Sequence, residues 1–163
     1  MRIVGIDPGL NGALAIFGAA VTVIDAPRLD VGRGMLDVAA IVTWLRQQQS
    51  DLVVVEKQQA MPRFRRNAET GKTEKIDQGV VSTFTTGYGF GLYVGVLEGI
   101  GLRYAVVTPQ AWQKELYAGM PGVGKERSLL AASRLWPEIK IPKSRHGRAD
   151  ALLIAEYGRR KLT

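Results

Sequence analysis

The chain has 163 residues, which suits one domain with a single substantial core, and residues 1–163 are read as that one domain. With 46% hydrophobic and 23% charged residues it is not a disordered chain, and the absence of cysteine excludes a disulfide framework and any thiolate metal site. Twenty-two Lys and Arg against 15 Asp and Glu give a formal charge of +7, a balance that favours a polyanionic partner, nucleic acid first.

Met1-Arg2 leads directly into a short apolar run rather than a signal-peptide pattern, and a reducing, cytoplasmic setting is the expectation. The run from Arg2 to Ile6 ends in the turn residues Asp7-Pro8-Gly9, and Ala13 to Phe17 and Val21 to Ile24 follow on either side of Gly18. Three short strands joined by tight turns form an antiparallel meander. Leu36 to Gln49 has helical periodicity, with Leu36, Ala40 and Trp44 beside Val38, Ile41 and Leu45. Asp51 to Glu56 is an unbroken apolar run ending in a carboxylate, as expected of a strand buried on both faces. Lys57 to Gln78 carries many cations between turn residues and reads as an exposed, mobile loop.

Val80 to Ile100 is apolar and glycine-rich, with Gly87, Gly91, Gly95 and Gly99 forming a stripe along one helix. Its Glu98, hydroxyl residues and charged neighbours argue against a membrane span. The stripe serves either close packing on a sheet or a dimer interface. Arg103 to Val107 reads as another buried strand, and Thr108-Pro109 as a helix start with Thr as N-cap. Helices are expected from about Lys125 to Trp136 and from about Arg148 to Lys161, the second after a basic segment, Lys140 to Arg148. A meander followed by βαβ crossovers predicts an α/β fold with a mixed sheet and helices on its faces.

If the first and fourth strands are parallel neighbours, Asp7 and Glu56 reach the same sheet edge, where open α/β sheets hold their ligands. Asp150, near the start of the last helix, can dock across that edge. Three converging carboxylates repel one another unless a hard cation lies between them, and oxygen-only ligation suits Mg²⁺, with Mn²⁺ able to replace it. Two such ions about 3.5–4 Å apart can activate a water and stabilise a leaving oxygen in phosphodiester cleavage. The alternative is ordinary: an Asp before Pro-Gly capping a turn, and a solvated Glu after a strand.

Ile3-Val4-Gly5-Ile6-Asp7-Pro8-Gly9, Val54-Val55-Glu56-Lys57-Gln58 and Ala149-Asp150-Ala151-Leu152-Leu153-Ile154-Ala155 resemble three motifs of the RuvC-type Holliday junction resolvases. Val107-Thr108-Pro109-Gln110-Ala111-Trp112 and Gly124-Lys125 match that family in order and approximate spacing, so the resemblance covers nearly the whole chain. It implies a ribonuclease H-like fold with a mixed five-stranded sheet, a homodimer built in part on the Gly87/Gly91/Gly95/Gly99 helix, and paired metal-dependent nicks in four-way DNA junctions. Asp7, Glu56 and Asp150 match the family's metal ligands. The family often has a fourth ligand three residues before its last aspartate. That position here is Gly147, and His146, the single histidine, stands one residue earlier. His146 is the candidate fourth member, as a ligand or a proton-transfer group; contact with a DNA phosphate or solvent is its alternative.

Lys57 departs from the family's usual Glu-Gln pairing, and the loop after it is unusually long and basic. Together with the short chain, this suggests a bacterial protein or one encoded by a phage or prophage. Arg63, Arg65 and Arg66 are candidates to pair DNA phosphates, with Phe64 stacking on an unpaired base. Lys57, Lys125, Lys143, Arg145 and Arg148 have the same DNA-contact reading against that of solvated surface charge. Gly119 to Lys125 almost fits a phosphate-binding loop, but position 126 is Glu rather than Ser or Thr and the segment follows a helix, so no nucleotide cofactor is expected. The rival functions are a ribonuclease H-like nuclease acting on structured RNA and a non-catalytic junction-binding module.

Overall fold

The computed structural model describes residues 1–31, 34–58, 63–66, 71–76 and 79–163, with the side chains of 63–66 and 74–76 outside that description. In chain order the first elements are β1 (Ile3–Asp7), β2 (Ala13–Phe17), β3 (Val21–Asp25), β4 (Arg28–Leu29), β5 (Met35–Leu36), α1 (Val38–Gln48) and β6 (Leu52–Glu56). There follow β7 (Arg63–Arg66), β8 (Thr73–Ile76), α2 (Val80–Ile100), β9 (Tyr104–Val107), α3 (Pro109–Leu116), α4 (Gly124–Leu135), a short 3₁₀ turn (Lys143–Arg145) and α5 (His146–Lys161).

The main sheet runs β3-β2-β1-β6-β9. The meander is antiparallel, and β6 then pairs parallel with β1 and β9 with β6, which is the expected mixed sheet. Strand alternation sends Ile3, Leu52 and Val54 into one apolar layer with Trp112, Leu116 and the inner face of α5. Val4, Ile6, Val53 and Val55 go into another layer with Ile41, Leu45, Tyr93 and Leu97. α1 and α2 therefore cover one face, and α3, α4 and α5 the other.

Local capping explains the helix starts. Asp37 accepts from the Ala40 amide at 2.9 Å to begin α1, and Thr108 accepts from Ala111 at 3.3 Å to begin α3 with Pro109 in its first turn.

Three expectations need correction, and one of the two readings of the glycine stripe falls. The segment after Glu56 is not simply a loop: Arg63–Arg66 pairs antiparallel with Thr73–Ile76. β9 is an edge strand rather than a buried one, with Val106 42% exposed. The last helix begins at His146, earlier than the position near Arg148. The glycine stripe does not pack on the sheet. α2 turns Gly89, Tyr93 and Leu97 inward, while a methyl group built at Gly87, Gly91, Gly95 or Gly99 would meet nothing within 4 Å. α2 is long and apolar enough to cross a membrane by length and composition, yet Tyr93 and Leu97 pack into the apolar layer beneath the sheet and Gly89 lies against the Pro8 carbonyl.

Candidate active site

The parallel register of β1 and β6 pairs Ile6 with Val55, so Asp7 and Glu56 stand side by side one residue further on, at the carboxyl ends of both strands. α5 crosses the same edge. It can come so close because β1 carries Gly5 beneath it: a Cβ there would lie 2.2 Å from the Ala151 carbonyl oxygen and 2.4 Å from the Ala155 nitrogen. The first turn of α5 is seated in the same way. A Cβ on Gly147 would lie 2.7 Å from the Asn11 carbonyl oxygen and 2.9 Å from Asp7 Oδ2. Asp150, one turn along, is thereby brought to the site, and Asp7, Glu56 and Asp150 fall within one electrostatic neighbourhood.

Their proton affinities show the cost of this arrangement. Asp7 retains some accessible surface, but protein packs densely around it. Burial, then the charges of Asp150 and Glu56, hold its carboxyl well above the usual carboxylate range, against a hydrogen bond to the Gly9 backbone. Glu56 is pushed up to about 7, first by burial and further by Asp150, while a hydrogen bond from Trp112 opposes the shift. Asp150 is raised to about 6 by burial, opposed by a hydrogen bond with Ser128 and by the charge of Lys125.

The positions behind the carboxylates come from residues that sequence reasoning did not assign to the site. Trp112 Nε1 donates to Glu56 Oε1 at 2.9 Å, and Gln58 Nε2 donates to Glu56 Oε2 at 2.6 Å. Ser128, 1% exposed, lies against Asp150. A buried indole N–H needs an acceptor, and that was the one signal in the sequence for the Trp112 contact.

His146 lines a cavity with Asp150, Lys125, Ser128, Tyr117 and Gln113. Burial, then the charge of Lys125, lowers its pKa, which favours the neutral imidazole that serves as a ligand or proton acceptor. Gly147 explains the altered spacing. The position that carries the fourth ligand in the resembled family is pressed against Asp7 and Asn11 here, and only glycine fits without displacing them.

Among the described residues no three acidic or histidine side chains close tightly around a single point. Mg²⁺ usually keeps several waters and takes one or two carboxylates together with substrate phosphate oxygens. The donor set fits such an ion on chemistry: oxygen atoms only, buried, mutually repelling, and with no cation among the causes that set the Asp7 proton affinity.

The candidate DNA contacts divide. Lys57, Lys125 and Lys143 are exposed. Arg148 is instead committed to the fold: its Nε and Nη2 donate to the two carboxylate oxygens of Asp25 at 2.8 and 2.9 Å, and Arg145 joins the same carboxylate at 3.2 Å. These ion pairs tie the end of β3 to the start of α5. Arg63, Phe64, Arg65 and Arg66 lie on β7, and their side chains are outside the described residues.

A pH test follows from the raised carboxyl groups. Glu56 binds its proton more tightly folded than unfolded, so its contribution favours the metal-free fold below about pH 4.5 and is lost as pH rises through about 7. In EDTA, Glu56→Gln should therefore gain several degrees of melting temperature over the native chain between about pH 5 and about pH 8. Trp112→Phe, which removes an opposing donor, should move the native transition to higher pH. Parallel melting profiles for the native chain and Glu56→Gln across that range would show that the carboxyl is not perturbed.

No protein-family model matches the chain. Among curated proteins, the chloroplastic Holliday junction resolvase MOC1 of Chlamydomonas reinhardtii is 36% identical over 83 residues, which cover 48% of this chain and 9% of that protein. Among solved structures, Thermus thermophilus RuvC aligns over 100% of this chain and 98% of its own, with 18% identity and a TM-score of 0.57. The same protein in complex with a Holliday junction substrate aligns over 98% and 93%, with 22% identity and a TM-score of 0.58. A fowlpox virus resolvase solved with Holliday junction DNA aligns over 99% of both chains, at 15% identity and a TM-score of 0.52. The fold is thus the RuvC-like, ribonuclease H-like one that the motifs implied.

Proposed function

We propose that this chain is a structure-selective endonuclease that resolves four-way DNA junctions, with Asp7, Glu56 and Asp150 as its central residues. The observation that carries it is their delivery, from β1, β6 and α5, to one strand-end edge where each is driven above its ordinary proton affinity. Such strain is a signature of a site that awaits compensating charge. The junction-resolving names of the curated relative and of the proteins sharing the fold support branched DNA as the substrate.

Asp7, Glu56 and Asp150 would hold two Mg²⁺ ions, or Mn²⁺ in their place, with His146 as the candidate fourth member. When bound, these ions supply the charge that activates a water and stabilises the leaving oxygen of the scissile phosphate. Trp112 and Gln58 fix both oxygens of Glu56, so its carboxylate is oriented before substrate arrives. The neutral imidazole of His146 is placed to accept a proton beside Asp150. Lys125 would support the negative charge of the phosphate from the start of α4, with Lys57 and Lys143 as further contacts to the DNA backbone, and Arg63, Phe64, Arg65 and Arg66 remain DNA contacts on the grounds of sequence.

The homodimer would use the outer face of α2. Val80, Val81 and Phe84 are 86%, 62% and 74% exposed at its first turns, and the uncovered glycine stripe continues from them. An apolar face of this kind marks an interaction surface. A twofold dimer would present two sites to a roughly twofold junction.

The deciding experiment incubates labelled four-way, three-way, flap, duplex and RNA-containing substrates with Mg²⁺ or Mn²⁺ and maps the cuts. Symmetric paired nicks confined to the four-way junction support resolution. Equal cutting of flaps points to general debranching, and cutting of RNA alone overturns the DNA assignment.

A further inference from the structure

The cavity between the end of α3 and the starts of α4 and α5 holds more positive charge than its one carboxylate balances. It measures about 300 Å³, the lower limit for pockets that bury a whole small ligand, so it suits a single chemical group. Lys125, His146, Gln113 and Arg127 line it together with Asp150. Lys125 and His146 already have roles beside Asp150, whereas Arg127 and Gln113 have none.

Arg127 is the informative member. It is half-buried, and Tyr117 holds it on two sides: Nη2 donates to the Tyr117 carbonyl at 3.0 Å, and the guanidinium lies 5.2 Å over the Tyr117 ring. These contacts fix the fork in place but occupy only one of its five N–H donors. Nε is buried without an acceptor, and among the described residues no carboxylate forms an ion pair with Arg127. A guanidinium that served only to brace Tyr117 would leave its charge uncompensated, which folded proteins avoid. An oxyanion in the cavity compensates it, and a planar fork held in advance is the geometry that phosphate oxygens accept best. Asp150 forms part of the cavity wall, so the cavity adjoins the carboxylate edge directly.

We infer that Arg127, with the Gln113 amide beside it, binds the DNA phosphate next to the scissile one and so directs the cleaved strand from the carboxylates into the cavity between α3 and α4. The inference rests on the nuclease reading above and adds a strand path to it. Lys125 then lies between the two phosphates rather than at the end of the site.

The test is a binding cycle in EDTA at fixed salt, with four-way junctions that carry one neutral methylphosphonate in turn at each phosphate around the branch point. The native chain should lose about 10-fold in affinity at one position, the worth of one charge-assisted hydrogen bond. Arg127→Ala should lose about as much on unmodified DNA, with a salt slope smaller by about one, and nothing further from the methylphosphonate at that position. A purely structural role through Tyr117 would leave the two losses additive, and additivity overturns the contact. Once the cuts are mapped, the sensitive phosphate should adjoin the scissile one; a sensitive phosphate elsewhere overturns the strand path. Absence of cleavage by the native chain would overturn the nuclease reading itself, while a non-additive cycle would still support the contact with Arg127. Should Arg127→Ala not fold, Arg127→Lys goes through the same cycle: a smaller methylphosphonate penalty supports the contact, and a native-sized one overturns it.

Discussion

Asp7→Asn should abolish the proposed junction cleavage, leave junction binding intact and raise the melting temperature of the metal-free protein. The three effects have one origin. Asp7 is buried beside Asp150 and Glu56, and its charged form is opposed by all three of those circumstances. An amide has nearly the same shape and removes the repulsion, so the fold gains, whereas the cation loses a ligand. Loss of a residue merely supporting a metal ligand costs about 10–100-fold in affinity or activity, so loss of the ligand itself should exceed that range. Binding survives because phosphate contacts by exposed lysines and arginines supply most of the affinity for DNA, and these are untouched. The measurements are a cleavage time course, a binding titration at fixed salt, and melting in EDTA and in Mg²⁺. Native cleavage rates in Asp7→Asn would remove the residue from the active site.

The second large effect is on the fold. Gly5→Ala should destabilise the chain by more than about 4 kcal/mol, a size reserved for a few specific mechanisms. The new methyl group would overlap backbone atoms of α5 at Ala151 and Ala155, which no rotamer change can relieve. α5 must lift from the sheet, taking with it Leu152, Leu153 and Ile154 from the interior and Asp150 from the site. At about 2–4 °C per kcal/mol for a domain of this size, the melting temperature drops by roughly 10 °C or more. Gly99→Ala is the control, since a methyl group there meets nothing and a helix interior prefers alanine to glycine by about 1 kcal/mol. Equal melting temperatures for Gly5→Ala and the native chain would mean that the helix does not rest on β1.

What could be read from the sequence was what local chemistry dictates. The meander and β6 were legible because apolar runs and turn residues delimit them. The starts of α1 and α3 were legible because Asp37 and Thr108 cap their own helices. The carboxylate positions followed from the strand ends. The β7–β8 pairing was not legible: its strands are short and charged, without the alternation that marks a half-buried strand. β9 looked buried because an apolar run does not say whether a further strand lies beside it. The direction of the glycine stripe was equally hidden, since Gly89 on the same helix, not the four spaced glycines, is the one pressed against the Pro8 carbonyl. Around the site, Trp112 reaches Glu56 across 56 positions of sequence, and Arg148 reaches Asp25 across 123. Contacts of that kind exist only after the sheet has formed, and no periodicity announces them. His146 and Asp150 lie four apart, and their shared helix face depended on where α5 begins.

The seat of α5 on β1 bears on how freely the interior can change. Where Gly5 meets Ala151 and Ala155, the separation of helix and strand is set by main-chain atoms rather than by interlocking large side chains. Interior residues elsewhere can then be exchanged through successive generations without retuning the distance from Asp7 to Asp150. The gauge that keeps the carboxylates in place is a hydrogen atom where every other amino acid would put carbon.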